Sequence, residues 1–582
     1  MIRLLPVLKI CCLTLCCLAP EFALADEPAE SAASLKAPAW ELIDFRSKTH
    51  RSEDLTGKVH VVAFLGTECP LAKLYAGRLE QLRQDFAADG VRFIAIDANE
   101  QDSLAELAAF ADRQGIEYPL LKDPDGGTAN KFGATRTPEV FLVDARGSVR
   151  YRGRIDDQYV IGIVRQKPEH QELRKAIEQV LAGRAVAVAR TEAMGCLIGR
   201  RREETTPTEL SYGRDVATIL QQRCVDCHRE GDIGPMRLDN YADAAAWGEM
   251  IVEVVQQRRM PPWHADPAIG HWANDRSLPA AERETLIAWV EGGCPEGDAA
   301  DAPPAKTYTD GWQLPRQPDA IFAMQEEPYA VPATGEVEYK YFSVDPGFSE
   351  DRWIRAAEIQ PGNRMVVHHV LVFAVQPGEE KKLGGARSYL AGYVPGTRAK
   401  PFPEGMAKKI EAGSRLIFQV HYTPVGTEQS DNSRIGFLFA DEDAISHEVK
   451  TTSVVQPRLD ISPGEGDYRV EAVLPEKLPE CEILSLSPHM HLRGKSFRYE
   501  LVTPAKERVP LLSVPEYDFN WQTAYEPVGR IAIAEGSRVY CAAAYDNSEE
   551  NIYNPDPNQR VRWGDQTDDE MMIGYFDYAV KR

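Results

Sequence analysis

Apolar and polar positions divide the 582-residue chain into three regimes. In the first, short apolar runs (Val59 to Leu65, Val91 to Asp97, Glu139 to Val143, Val149 to Arg152) alternate with helical patterns at Pro70 to Asp85 and Ser103 to Arg113. Strands interleaved with helices predict an α/β layer fold over residues 36–190. In the second, residues 208–302, the pattern is helical. Val216 to Gln222 is amphipathic, and Ala280 to Glu291 offers Leu286, Ile287, Trp289 and Val290 for packing. From Tyr308 helical periodicity fades. Strand-like runs such as Met365 to Phe373, Leu416 to Tyr422 and Tyr468 to Leu474 recur between Pro, Gly and Asp clusters. Short strands with that punctuation predict β-sandwiches. The length suits two, at 310–450 and 451–582, with Pro463-Gly464-Glu465-Gly466 breaking the pattern near their junction.

Composition adds to this in two ways. The net charge is −23 without a basic block, which argues against nucleic-acid binding and a polybasic membrane patch. The N-terminus reads as a secretory signal over residues 1–25. Arg3 and Lys9 precede an apolar core at Ile10 to Leu18, and Ala23-Leu24-Ala25 forms the cleavage site. The apolar run is shorter than the ~20 residues a membrane span needs, and no later run reaches that length. An exported protein is expected, periplasmic or extracellular. Four of the eleven cysteines leave with such a signal. Cys69, Cys196, Cys224, Cys227, Cys294, Cys481 and Cys541 remain, free to be oxidised or to carry a cofactor.

Three groups of residues carry candidate chemistry. Cys69 lies where a strand gives way to a helix, in Gly66-Thr67-Glu68-Cys69-Pro70-Leu71-Ala72. Amide dipoles at a helix start lower a thiol's pKa. Thr137-Pro138, ahead of a strand, suits a cis proline. Cys224-Val225-Asp226-Cys227-His228 is a C-x-x-C-H motif, which can attach a c-type haem through two thioethers with His228 as axial ligand. Met260, before Pro261-Pro262, is the choice for sixth ligand, with Met236, Met250 and His264 as rivals. In the β half, His368, His369, His421, His489 and His491 lie on separate strand-like runs, with Met571 near the C-terminus. Imidazole suits copper and zinc, and a thioether favours Cu(I). Alternate strand residues share a face, so His489 and His491 can chelate one ion while Met490 faces away. His368 and His369 point to opposite faces of an ideal strand. Sharing one metal requires a bulge or twist there, or the use of different ring nitrogens. His447 has no comparable context and is assigned no role.

The first domain resembles the thioredoxin-like superfamily, specifically the redoxins. Ala72 stands where the second cysteine of C-x-x-C would be, leaving Cys196 as candidate resolving thiol. A lone, structural Cys69 is the alternative. The second domain resembles a class I cytochrome c. Residues 320–582 resemble the copper type II, ascorbate-dependent monooxygenases, the family of peptidylglycine α-hydroxylating and dopamine β-monooxygenases. The resemblance rests on His368-His369, Gln419-Val420-His421-Tyr422, His489-x-His491 and Asp569-Glu570-Met571, in the family's order. It implies jelly-roll-like sandwiches and two coppers. His368, His369 and His421 would hold the electron-transfer ion, and His489, His491 and Met571 the ion where oxygen reacts, with Tyr575 in the substrate pocket. The family's arginine before H-x-H is here Ser487, and its asparagine after the methionine is Ile573, which puts a peptide C-terminal glycine in doubt as substrate. The family's cysteine after the methionine is Met572, so Cys541 would need another partner, with Cys481 a candidate.

The expected protein is an exported copper monooxygenase that hydroxylates a C–H bond of a small or peptide-like substrate. The fused haem would take electrons from a donor, replacing or assisting ascorbate or another small reductant. Alternatives are a non-enzymatic copper or electron-transfer protein, and a thiol-disulfide protein or copper-loading chaperone.

Overall fold

A computed structural model describes residues 35–160, 162–165, 167–200, 208–308, 311–335, 337–378, 388–396 and 399–582. The secretory signal expected at residues 1–25 lies outside them. Among the described residues no helix is long and apolar enough to cross a membrane.

The N-terminal domain is α/β and thioredoxin-like. Its central strand, His60–Phe64, lies between the parallel Arg92–Asp97 and the antiparallel Glu139–Val143 in a seven-stranded sheet. All five residues of that strand are buried. Val61 and Ala63 join one apolar cluster and Val62 and Phe64 another, as period-two alternation requires of a sheet covered on both faces. Helix Pro70–Asp85 starts at Cys69, with Pro70 at its first position, where the missing N–H costs nothing. The Thr137-Pro138 bond is cis. The short strand Cys196–Leu197, beyond the expected end of the domain at residue 190, pairs antiparallel with Arg136–Thr137 and places Cys196 opposite Thr137.

The next segment is helical, with Ala217–Arg223, Tyr241–Ala246, Gly248–Gln256 and Ala280–Glu291 as its α-helices among the described residues. Trp247, Leu286 and Trp289 are buried in an apolar cluster that continues from the redoxin side. After Met260, a strap crosses to the β half. Asp266 N donates to Ser513 O (2.8 Å), Ala273 N to Glu526 O (2.7 Å), and the Asn274 side chain to Ala524 O (2.7 Å).

The C-terminal half is all-β. Where two separate sandwiches are expected, one eight-stranded sheet serves both. Two four-stranded sheets cover it, one carrying Arg415–Tyr422 and Val367–Val375, the other Arg538–Tyr545 and Gly494–Val502. Val370, Phe418, Ile435 and Phe437 fill the first interface, and Ile483, Leu486, Tyr499 and Val539 the second. The halves join where Met406–Ile410 pairs parallel with His447–Val455. This last strand runs across the expected boundary at 450/451. It pairs with Ile573–Lys581 along its whole length, so it belongs to the C-terminal side. Cys481 lies in the eight-stranded sheet and Cys541 in the sheet facing it. The Cys481–Cys541 bridge raised by the sequence is not formed here: both residues are buried free thiols.

Candidate redox and metal sites

Cys69 and Cys196 meet at the redoxin edge. In its protonated form the Cys69 thiol donates to Thr137 O (2.9 Å), and the Cys196 side chain lies close enough to act on its ionisation. Gly195 makes this approach possible. A Cβ there would lie 2.1 Å from Thr137 O, and its φ of 141° disfavours any side chain. Burial alone would raise the Cys69 thiol. Interactions with the Cys196 side chain and backbone, and then with the Ala72 amide, outweigh it and bring the pKa down to about 6. Cys196 is pushed up, first by its hydrogen bond to Cys69 and then by burial. One sulfur is thus poised as thiolate and the other as thiol, the arrangement that thiol-disulfide exchange uses.

Cys224, Cys227, His228 and Met260 line one cavity of about 870 Å³. That volume falls within the ~300–1,000 Å³ range of cofactor sites. His228 Nδ1 is 3.1 Å from Met236 O. A carbonyl only accepts, so Nδ1 carries the proton and Nε2 keeps its lone pair for a ligand. Met236 therefore lies behind the His228 ring. The Met250 sulfur accepts from Leu197 N at 3.5 Å and is engaged elsewhere. Met236 and Met260 both line this cavity, and Met260 is the sulfur that the sequence selects. These residues fit a c-type haem.

In the β half, His368, His369 and His421 each offer a ring nitrogen within 4.8 Å of the others. The strand-face conflict is resolved locally. The ladder between Val367–Val375 and Arg415–Tyr422 is irregular between Val367 and His369, and His369 then pairs directly with His421. The extra residue there, His368, turns toward the other two. His368 Nδ1 and His369 Nδ1 lie 3.2 Å apart, and His421 Nδ1 is buried without a hydrogen-bond partner. Converging imidazole nitrogens whose nearest polar neighbours are one another fit a metal. Burial lowers His368 to about 4. Burial, then His368 and His491, lower His421 to about 3, and His369 falls well below its ordinary value, first through burial. All three are neutral at pH 7, the form that ligates.

His489 and His491 have ring centroids 5.2 Å apart. His489 Nδ1 is 2.7 Å from Gln522 Oε1, and His491 Nδ1 is 3.1 Å from Asp569 O. Both rings therefore present Nε2 outward, held by the polar partners that orient metal-binding histidines. Met490 is fully buried. His489 pairs with Ile573, the last pair of that ladder, and Met571 stands two residues before Ile573 and directly after Glu570, whose carboxylate accepts from His491 N. Tyr575 sits 6.4 Å from His489, ring to ring, and pairs with Ser487. These residues fit a second, softer metal position.

Several contributors escaped sequence reasoning. Phe519 stacks on His368 (5.6 Å, 20°) and meets His491 edge-on (5.9 Å, 80°), so one phenyl ring touches a member of each histidine set. It comes from an irregular loop, and only the aromatic pair Phe519 and Trp521 hinted at it. Tyr339 lies 4.9 Å from the His421 ring and 5.5 Å from that of His369. Buried Glu570 accepts from His491 N (2.9 Å) and Arg493 N (2.6 Å), which pins the H-x-H turn. Its carboxyl is pushed up to about 7 by burial. His447 meets Ser446 Oγ near the surface, away from both sets.

Comparison with known proteins bears on the first domain. Residues 33–152 match the AhpC/TSA family. Thiol-disulfide oxidoreductase ResA of Geobacillus thermodenitrificans is 29% identical over 114 residues, covering 20% of this chain and 64% of the relative, just under two thirds of its length. Thiol:disulfide interchange protein DsbE of Allochromatium vinosum is 32% identical over 127 residues, covering 21% of this chain and 67% of the relative. Among solved structures, a thiol:disulfide interchange protein of the thioredoxin family from Chlorobium tepidum TLS is 22% identical, covering 25% of this chain and 97% of that one, with a TM-score of 0.21. The N-terminal domain of this chain, with its helix-start Cys69 and cis Pro138, therefore belongs to the AhpC/TSA family of thioredoxin-like redoxins.

Proposed function

We propose that this is an exported, copper-dependent monooxygenase that hydroxylates a C–H bond with molecular oxygen, with electrons supplied through a covalently attached c-type haem. The observation that carries this reading is the pair of histidine sets that Phe519 touches: the three converging rings of His368, His369 and His421, and the paired rings of His489 and His491, each held at Nδ1 by an oxygen. His368, His369 and His421 would hold one copper, and His489, His491 and Met571 the other. Cys224, Cys227, His228 and Met260 would hold the haem. Copper would supply one-electron transfer and oxygen activation, and haem a one-electron relay.

The chain's own groups prepare these positions. Burial keeps the imidazoles neutral. Gln522 and the Asp569 carbonyl fix the tautomers of His489 and His491, and the Phe519 ring holds His368 and His491 in place. The Met571 thioether makes the second position softer than the all-nitrogen one. Tyr575 and Ser487 border it on the substrate side, and neither offers the positive charge that would seat a peptide carboxylate. A small or peptide-like molecule without that terminus is the favoured substrate class. Ascorbate or a similar reductant could supplement the haem.

Protein matured in an exporting host should contain two coppers and one covalent haem, and should take up oxygen in a substrate-dependent way. Met571→His should keep copper and lose hydroxylation. Zinc in both positions, with no oxygen uptake under reducing conditions, would sink the reading in favour of a non-enzymatic metal protein. The Cys69–Cys196 contact and the redoxin relatives favour a second activity in the same chain, thiol-disulfide exchange at the N-terminal domain.

A further inference from the structure

The cysteine pair is built into the wall of the haem cavity. Cys196 lines the same cavity as Cys224, Cys227, His228 and Met260, with Cys69 in contact behind it. The contact between the two domains is specific. Helix Gly248–Gln256 lies against the Cys196 strand, where the Met250 sulfur accepts from Leu197 N at 3.5 Å. Glu253 on that helix binds Arg136 (2.7 Å) and Arg259 (2.7 Å), and Arg136 also donates to Gly195 O (2.8 Å). Arg259 directly precedes Met260. One carboxylate thus ties the residue next to Cys196, through Arg136, to the residue next to the candidate iron ligand. On its other side the cavity reaches His368, His421 and Phe519.

We propose that Cys69 and Cys196 form a two-electron store that discharges into the haem one electron at a time, so that the redoxin domain is the electron entry of this chain. The proposal rests on the haem reading given above. The Cys69 thiolate and Cys196 thiol lose two electrons and one proton, and the S–S bond forms. The proton goes to solvent. Each electron converts one iron(III) to iron(II), the second leaving after the iron has passed the first onward. The direction is downhill, because His/Met ligation raises a haem's potential whereas dithiols are reductants. A dithiol protein or small dithiol would recharge the pair by thiol-disulfide exchange. Thiol chemistry would then meet one-electron chemistry within one chain.

The test uses full-length holoprotein, isolated with ferric haem and oxidised thiols and treated under argon with a trialkylphosphine, which opens disulfides. In the wild type, haem absorbance should shift from ferric to ferrous as thiols appear. Repeated re-oxidation with ferricyanide should then consume one thiol pair per two electrons, and mapping without reductant should recover Cys69 linked to Cys196. In Cys69→Ser and in Cys196→Ser, phosphine-dependent haem reduction should be lost, while dithionite still reduces the haem fully. Equal phosphine-driven reduction in both variants overturns the proposal, as does a wild-type haem that stays ferric beside free thiols. A chain that matures without covalent haem overturns the haem reading and this proposal together, whereas bound haem that ignores free thiols overturns this proposal alone.

Discussion

Removing the Cys196 side chain should move the ionisation of Cys69 by an amount that can be worked out in advance. The thiolate is held at about 6, against an ordinary 9.0, by donors that outweigh its burial, and the Cys196 side chain is the first of them. A hydrogen bond to a charged group is worth about 1.5–3 kcal/mol. At about 1.4 kcal/mol per pKa unit, Cys196→Ala should raise the midpoint by about one to two units, to about 7–8. The Cys196 and Ala72 amides stay in place, which limits the rise. The rate at a single pH is a poor observable. At pH 7 the thiolate fraction falls from about nine tenths to between about a half and a tenth. Thiolate nucleophilicity rises about three- to tenfold over the same shift, because it follows pKa with a slope of ~0.4–0.5. The two nearly cancel. The assay is therefore the pH midpoint of thiolate absorbance or of alkylation by a small reagent, on reduced protein. Cys196→Ser, whose hydroxyl still donates, should fall between wild type and alanine. A midpoint that stays near 6 in Cys196→Ala would show that the helix-start amides alone set the ionisation, and a wild-type midpoint near 9 would refute the account altogether. The linked stability has a definite sign. The folded pKa lies below the unfolded one, so ionised Cys69 stabilises the reduced protein fully above about pH 9, and that contribution is lost as pH falls through about 6.

Three further outcomes are expected. Gln522→Leu should free His489 Nδ1 and weaken metal binding at the second position about 10–100-fold, with the first position unaffected, as read by competition with a chelator. Phe418→Ala removes a fully buried ring from the strand that carries His421, and should cost about 3–5 kcal/mol in denaturant unfolding; a loss under about 1 kcal/mol would contradict the packing described. Met260→Ala should abolish any sulfur-to-iron charge-transfer band and lower the haem potential, whereas an unchanged spectrum would point to another sixth ligand.

Much of this protein could be read from local pattern. The buried run His60–Phe64, the proline-started helix after Cys69, and the short punctuated strands after Tyr308 each show their element through side-chain periodicity, which reports only whether a position faces a core. Spacing likewise marks Cys224, Cys227 and His228, because a chelating or attaching motif on one turn is a local object. Pairing decided the rest. Alternation along Val367–Val375 sends His368 and His369 to opposite faces, and only the irregular ladder against Arg415–Tyr422 brings both to His421. Ala72 in place of a second motif cysteine makes Cys196 a candidate partner for Cys69, but no local pattern joins the two. Their meeting depends on Gly195 lying against Thr137 O and on a two-residue strand added beside the cis proline. The domain boundary near residue 450 shifted for the same reason, since His447–Val455 looks like any half-buried strand until its full-length partner, Ile573–Lys581, is known. Phe519, on an irregular loop, has no periodicity to read, and its contact with both histidine sets exists only once both sandwiches share one sheet. Sheet order and the closing of a cavity between domains are properties of distant segments in contact, and these determine which of the legible residues can act together.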